Sequence, residues 1–270
     1  MSDSPKPISI QAATVILARA GPAGVPEFLL VQRGENLAFA GGALVFPGGR
    51  VDAADIGIAR NEDLATGFEG LDDLDAAARV TCAREALEET GVLLTEGPLP
   101  DAQALATARA ALASGPDADE ATTFAGMLGA MGHKVDAARF IPFARWEPPS
   151  AAAIVRRFDT RFYLADAGRS ASAAIAPDGF EAKALRWTTA AQALADYDAG
   201  RAAMVFPTWC NMHRLAQYQS IPALFAAVAA LHAPYVQPAF ETVDGEQWLT
   251  IPEGLDYPVT RDRVASLRRE

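Results

Sequence analysis

Runs of apolar and β-branched residues near the N-terminus predict a pair of strands. One run covers residues 8–19, and the other covers residues 27–33 (EFLLVQR). The segment between them, residues 21–24 (GPAG), has the glycine and proline content that favours a turn. We therefore predict that the two runs pair as antiparallel strands, preceded by a loose tail at residues 1–8.

A helix is predicted to begin at Asp75, because the apolar residues that follow recur at intervals of three and four. Gly91 comes directly after this pattern and is typical of the residue that ends a helix. The acidic stretch before the helix, residues 52–74, contains three glycines and is interpreted as an inserted loop. Residues 92–94 (VLL) are predicted to enter a strand.

The rest of the chain mixes strands with helices. Further strands are predicted at residues 140–146, 159–164 and 182–188, and further helices at residues 101–132 (as a pair), 190–197, 208–218 and 222–231. We interpret residues 9–235 as one α/β domain and residues 236–270 as a C-terminal extension packed on the same domain.

Composition narrows the function classes. Half of the residues are hydrophobic and 21% are charged, which is typical of a globular protein with a sizeable core. The formal net charge of −11 argues against nonspecific nucleic-acid binding, which needs a basic surface. An anionic small molecule remains an acceptable partner, because a bound cation can reverse the local charge of a site.

The sequence also predicts the compartment. The two cysteines, Cys82 and Cys210, lie in no zinc-binding pattern and indicate no disulfide framework. Neither a signal-peptide pattern nor an apolar stretch of membrane-spanning length is found. We expect a cytoplasmic protein with no membrane partner.

The strongest chemical signal is the segment 84–92 (REALEETGV). On a helix, Glu85 lies three and four residues before Glu88 and Glu89, so the three carboxylates project from one face. Like charges placed together need either solvent or a cation, and oxygen ligands suit Mg²⁺ or Mn²⁺. Taken alone, this run also fits a plain solvated helix face.

Context favours the metal interpretation. Residues 46–49 (FPGG) lie upstream, and the segment from Arg84 to Val92 resembles the second half of the signature of the Nudix hydrolases at every defined position. The resemblance implies an α/β fold, an α/β/α sandwich around a mixed sheet, here with extra C-terminal helices. It also implies hydrolysis of a diphosphate linkage in a small nucleotide-derived substrate, with a divalent cation that activates water.

The same resemblance assigns roles to residues. Glu85, Glu88 and Glu89 would bind Mg²⁺ or Mn²⁺ and serve catalysis, and Arg84 would orient them through a salt bridge. The backbone at Gly48 and Gly49 would let the neighbouring loop close on the metal and the substrate diphosphate. One carboxylate would accept the proton of water, and the sequence leaves open which one.

The first half of the signature departs from the family pattern. The family has a glutamate eight residues before the arginine, and this chain has Ala76 there, with Asp75 adjacent as a substitute. Residues 52–74 interrupt the spacing. Asp52 and Asp55 follow the glycines and could serve an outer metal shell, but turn residues are the simpler interpretation.

A second motif indicates a subgroup. Arg33, Gly42 and the FPGG run resemble the coenzyme A motif of Nudix coenzyme A diphosphatases, in the branch that includes the peroxisomal-type animal enzymes and bacterial relatives. The serine of the motif is replaced by Gly34 and its second arginine by Ala38. The resemblance implies coenzyme A or acyl-coenzyme A as substrate, with Arg33 either contacting a phosphate or simply ending a strand.

Other substrates and roles stay open. NADH, ADP-ribose and dinucleoside polyphosphates are cleaved by relatives of the same fold, and a non-catalytic ligand-binding module is a third hypothesis. Glu181, at the start of a predicted strand, is a candidate further catalytic acid. Arg157, Asp159 and Arg161 alternate along another strand and could either form an ion-pair ladder or reach into the pocket, and the ladder is the simpler interpretation. The helices at 208–231 are either core elements or the interface of a homodimer.

Overall fold

The computed structural model describes residues 9–34, 42–98, 100–112, 120–150, 157–168, 175–177 and 182–264. The tail proposed at residues 1–8 lies outside the described residues, and so do Ala38 and Glu181. No helix in the described ranges is both long and apolar enough to cross a membrane.

Strands and helices alternate along the chain. The strands are β1 (Ser9–Ala20), β2 (Pro26–Arg33), β3 (Leu44–Val45), β4 (Gly48–Arg50), β5 (Ala65–Thr66), β6 (Val135–Asp136), β7 (Ile141–Trp146), β8 (Arg157–Asp166), β9 (Ala182–Thr189), β10 (Tyr235–Val236), β11 (Ala239–Val243), β12 (Glu246–Thr250) and β13 (Arg261–Arg263). The α-helices are α1 (Ala53–Ala59), α2 (Asp73–Glu85), α3 (Ala102–Leu112), α4 (Glu120–Met131), α5 (Ala190–Asp198), α6 (Phe206–Leu215) and α7 (Ile221–Ala230). A π-helical turn (Ala86–Thr90) continues α2, and a short 3₁₀ turn (Ala137–Arg139) precedes β7.

A mixed sheet forms the centre of the molecule. Its strand order is β10-β7-β8-β1-β2-β3, with β4 paired to β1 and β9 paired to β2. The pairs β1–β8 and β10–β7 are parallel, and the other pairs of this sheet are antiparallel. The antiparallel pairing of the first two strands is as the sequence predicts.

Both faces of β1 are buried, which explains its nearly continuous apolar sequence. Val15 and Leu17 point to an apolar cluster shared with α1, α2 and α4. Ile16 and Ala18 point to a second cluster, shared with α5, α6 and α7. Helices therefore cover the sheet on both sides, and the predicted α/β/α sandwich around a mixed sheet is confirmed.

Described residues after α7 contact the main sheet and its apolar cluster. Strands β11, β12 and β13 form a separate three-stranded sheet, and residues 235–236 add β10 to the edge of the main sheet. Ile251 and Tyr257 lie in the apolar cluster with α5, α6 and α7. The phenol of Tyr257 donates a hydrogen bond to Asn211 of α6, which ties the extension to the core.

Two local expectations were wrong. The segment 52–74, interpreted as a loop, contains α1 and β5, because Asp52 and Asp55 form a capping box and Ile58 is buried. Residues 92–94 form no strand, because their apolar side chains fill the core without pairing in a ladder.

We expect Leu30→Ala to lower the free energy of unfolding by about 2–5 kcal/mol, because its buried side chain leaves a cavity in the core. Leu231→Ala is the matched control, since Leu231 is 44% exposed, and should cost less than about 0.5 kcal/mol. Urea unfolding followed by circular dichroism measures both. Equal losses in the two variants would contradict the assignment of Leu30 to the core.

Candidate functional site

The acidic segment lies where α2 changes its winding. Glu85 is the last α-helical residue, and Glu88 and Glu89 belong to the π-helical turn that follows. The turn ends at Gly91, whose φ of 77° is the left-handed conformation that glycine adopts readily, so the predicted helix end is correct. The wider turn shifts the carboxylates from the plain α-helical spacing assumed from sequence, and such turns are common at functional sites.

Strand β4 brings two glycines against this segment. The amide of Gly48 donates a hydrogen bond to Glu89 Oε2 at 3.0 Å. At Gly49, an added Cβ would lie 2.1 Å from Glu85 Oε1, so a larger residue would displace that carboxylate. The backbone at both glycines thus lies directly against the acidic segment.

Arg84 lies beneath the carboxylates and is fully buried. Its Nη1 atom donates to Glu85 Oε1 at 2.9 Å and to Glu88 Oε2 at 3.3 Å. Its Nη2 atom donates to the carbonyl of Arg50 at 3.1 Å. The guanidinium therefore connects the acidic segment to the strand that carries the glycines.

Asp55 is the acidic partner that sequence analysis failed to place. It is fully buried, and its carboxylate accepts hydrogen bonds from Thr81 at 2.7 Å and from Arg84 Nη2 at 3.3 Å. Asp55 lies in the segment that interrupts the signature, and only the folding of α1 against α2 brings it to Arg84.

Ala76 and Asp75 have other environments. Ala76 is packed in the core. Asp75 accepts hydrogen bonds from Arg79 and from the phenol of Tyr163, so the idea that it substitutes for the missing glutamate is not supported by its contacts. These contacts fix α2 to the sheet.

The carboxylates around Arg84 determine the direction in which its pKa shifts. Burial by itself would lower the pKa of Arg84, but the carboxylates of Glu85, Asp55 and Glu88 raise that pKa above its ordinary value. Arg84 consequently stays protonated at all working pH values. Asp52, Asp55, Glu85 and Glu88 all form ion pairs with Arg84, so four carboxylates surround one guanidinium and the cluster has an excess of negative charge.

The donor set fits a hard divalent cation. All candidate ligands are carboxylate oxygens, and the side chains of Glu85 and Glu88 are 12% and 17% exposed, so the cluster is reachable from solvent. In the described parts of the chain, no three acidic, histidine or cysteine side chains already converge as a metal-binding group.

Arg33 lies at the end of β2, where it pairs with Ala182 at the start of β9. A cavity of about 480 Å³ opens beside this end of the sheet, and its lining includes Gln32, Gly42, Arg186 and Arg201. Glu181 precedes the described start of β9, so its candidate role stays a prediction.

The proposed ladder of Arg157, Asp159 and Arg161 is not formed. Arg157 donates to the carbonyls of residues 148 and 149, Asp159 accepts from Arg145, and Arg161 donates to the side chain of Gln11. Each charge finds its partner on a neighbouring segment instead of along the strand. These residues support the sheet and its connections.

Comparison with known proteins agrees with this geometry. No model of a known protein family matches the chain. The human acyl-coenzyme A diphosphatase NUDT19 is 26% identical over 272 residues, which cover 87% of this chain and 70% of the human protein. The crystal structure of a Nudix hydrolase from Alicyclobacillus acidocaldarius superposes with a TM-score of 0.67 at 27% identity, covering 81% of this chain and 96% of that one.

The sandwich fold, the acidic turn that carries Glu85, Glu88 and Glu89 beside the glycines of β4, and these similarities support a Nudix protein with diphosphatase activity. Within that class it resembles the coenzyme A diphosphatase branch.

We expect Gly49→Ala to fold but to lose activity, because the new Cβ would displace the Glu85 carboxylate. Misplacement of a site group by about 1 Å can cost roughly 100-fold in rate, and we expect a loss of that order in kcat/KM for diphosphate hydrolysis. Gly57→Ala in α1 is the control, since its Cβ would meet nothing within 4 Å. Wild-type activity in Gly49→Ala would contradict the close approach.

We expect Asp55→Ala to lower the free energy of unfolding by about 3 kcal/mol, because it removes one partner of a buried ion pair. Asp73→Ala removes a partner of an exposed pair with Arg60 and should cost less than about 1 kcal/mol. Denaturant unfolding compares the two. A loss at Asp55 no larger than at Asp73 would show that Asp55 is not an important partner of Arg84.

Proposed function

We propose that this chain hydrolyses the diphosphate linkage of coenzyme A or acyl-coenzyme A, with Mg²⁺ or Mn²⁺ bound by Glu85, Glu88 and Glu89. The observation that carries the proposal is the acidic turn backed by the glycines of β4, with its carboxylates tied to Arg84. The coenzyme A part of the proposal is supported by the similarity to human NUDT19 and by the sequence motif that contains Arg33.

The chain's own groups have separable roles in this reaction. Arg84 orients Glu85 and Glu88, and the amide of Gly48 holds Glu89. A bound divalent cation would supply charge neutralisation of the diphosphate and a lowered pKa for water. One of the three carboxylates accepts the proton as water attacks phosphorus and the bridging P–O bond breaks. The products would be 3′,5′-ADP and a phosphopantetheine.

The cavity at the end of β2 supports a binding role for this part of the molecule. Arg33 and Gly42 are joined by a hydrogen bond from the Gly42 amide to the Arg33 carbonyl. Gly42 also lines the cavity, where Arg186 and Arg201 contribute positive charge. Asp196 pairs with both of these arginines, and the hydrogen bonds from Arg201 and Arg186 lower its pKa to about 2. We propose that an anionic, nucleotide-derived substrate enters here.

One observation favours a different substrate of the same class. Ala38 replaces the second arginine of the coenzyme A motif, which removes a potential phosphate contact. NADH, ADP-ribose and dinucleoside polyphosphates therefore belong in the same test. Cytoplasmic location and a homodimer built on residues 208–231 stay predictions from the sequence.

The substrate is tested by mass spectrometry of products. Purified protein with Mg²⁺ or Mn²⁺ is incubated separately with coenzyme A, acetyl-coenzyme A, NADH, ADP-ribose and diadenosine polyphosphates. We expect 3′,5′-ADP and phosphopantetheine from coenzyme A, with the acyl group retained on the pantetheine from acetyl-coenzyme A. Cleavage of another compound alone would reject coenzyme A, and failure on every compound in both metals would reject the proposal.

We expect Glu88→Gln and Glu89→Gln each to lower kcat by about 100-fold or more, because a neutral amide binds a divalent cation weakly. Glu69→Gln is the control, since Glu69 is exposed and lies outside the site. Turnover is measured with Mg²⁺ and Mn²⁺ after circular dichroism confirms the fold. Near-normal turnover of both site variants would remove these residues from the metal site.

A further inference from the structure

Helix α3 lies in the segment between Glu96 and Lys134, and hydrogen bonds hold the two ends of this segment together. The amide and carbonyl of Glu96 exchange hydrogen bonds of 2.8 Å with those of Lys134. Next to this bridge, the imidazole of His133 contacts Thr95 Oγ1 and the carbonyl of Pro98, each at 2.7 Å. This segment contains α3 and α4, and it starts a few residues after the acidic turn.

The helix packs one face on the domain. Leu105 and Ala108 pack against the apolar cluster on the α2 side, and Leu112 is buried in it. Their spacing of three and four residues fits one stripe of a helix. Arg109 lies next to this stripe and is half-buried. Its side chain is therefore held near α2 by the packing of its neighbours.

Arg109 contacts the backbone of the acidic turn. Its Nε and Nη2 atoms donate hydrogen bonds of 2.9 and 2.8 Å to the carbonyl of Glu88. Its Nη1 atom lies 3.5 Å from where a Cβ on Gly91 would be. The guanidinium thus covers the end of the turn, in ordinary van der Waals contact with the position of that Cβ.

The backbone pattern changes at this carbonyl. In a continuing α-helix, the amide of Val92 would donate to the carbonyl of Glu88. Here the amide of Val92 donates to the carbonyl of Ala86 and to Thr90 Oγ1. A cation at the C-terminal end of a helix also interacts favourably with the helix dipole. Arg109 therefore brings hydrogen-bond donors and a positive charge to the end of the turn.

We infer that Arg109 is a positioning residue for the acidic turn: it fixes the backbone at Glu88 so that the carboxylates of Glu88 and Glu89 are held ready for a cation. The inference rests on the proposed function, because it assumes that these carboxylates bind metal. Through Arg109, helix α3 contributes to the site, although no residue of α3 belongs to the Nudix signature.

The test compares Arg109→Met and Arg109→Lys with wild type. We expect Arg109→Met to bind Mn²⁺ alone about 10-fold more weakly, with a similar fall in kcat, because residues that hold metal ligands in place typically contribute 10- to 100-fold. KM for coenzyme A should change by less than about twofold, since Arg109 is assigned no substrate contact. Arg109→Lys should recover part of the Mn²⁺ affinity, because it keeps one charged donor.

A second measurement does not depend on metal or activity. Amide hydrogen exchange of Gly91 and Val92, measured without metal, should be faster in Arg109→Met than in wild type. Arg139→Met is the matched control, because Arg139 is also half-buried and donates to a main-chain carbonyl, that of Thr95. It should leave Mn²⁺ affinity and exchange in the turn unchanged.

The outcomes separate the inference from the proposed function. If folded Arg109→Met matches wild type in Mn²⁺ affinity, kcat and exchange while Glu88→Gln has lost metal binding, the role of Arg109 is overturned and the proposed function stands. If Glu88→Gln also binds Mn²⁺ like wild type, the metal assignment fails, and the inference fails with it. Equal effects of Arg109→Met and Arg139→Met would reduce Arg109 to a general structural contact.

Discussion

The buried guanidinium of Arg84 is the constraint around which the site is organised. Removing a charged group from water costs several kcal/mol unless partners surround it, so the fold must bring carboxylates to this point. They come from Asp55 in α1 and from Glu85 and Glu88 at the end of α2, and a carbonyl comes from Arg50 in β4. One side chain thereby joins a strand, a helix and an inserted segment.

The sheet determines where the glycines meet this cluster. Strand β4 pairs with β1, which is buried on both faces and therefore has little freedom to shift register. That pairing places Gly48 and Gly49 beside Thr14 and Ala13 and directs their other side to the acidic turn. The close approach of backbone to carboxylate follows from the sheet, and glycine is the residue that permits it.

Two segments that interrupt or follow the signature contribute to the site. The first supplies the helix α1, whose Asp55 acts as the buried acidic partner of Arg84. The second supplies α3, whose Arg109 contacts the carbonyl of Glu88. Similarity to a crystal structure of a Nudix hydrolase extends over 81% of the chain, so these contacts form on a shared framework. Asp55 therefore contacts the arginine of the site, and Arg109 contacts the backbone of the acidic turn.

The sequence by itself determined the class of fold, most of the strands and helices, the end of α2 at Gly91 and the acidic segment with its arginine. These features depend on local periodicity, on glycine conformation and on a contiguous motif, all of which can be read along the chain. Tertiary structure decided that Asp55 is the partner of Arg84, that residues 92–94 fill the core without forming a strand, and that Arg109 contacts the acidic turn. Each of these depends on contacts between distant segments. A buried charge or a backbone carbonyl finds its partner by proximity in space, which spacing along the chain does not reveal.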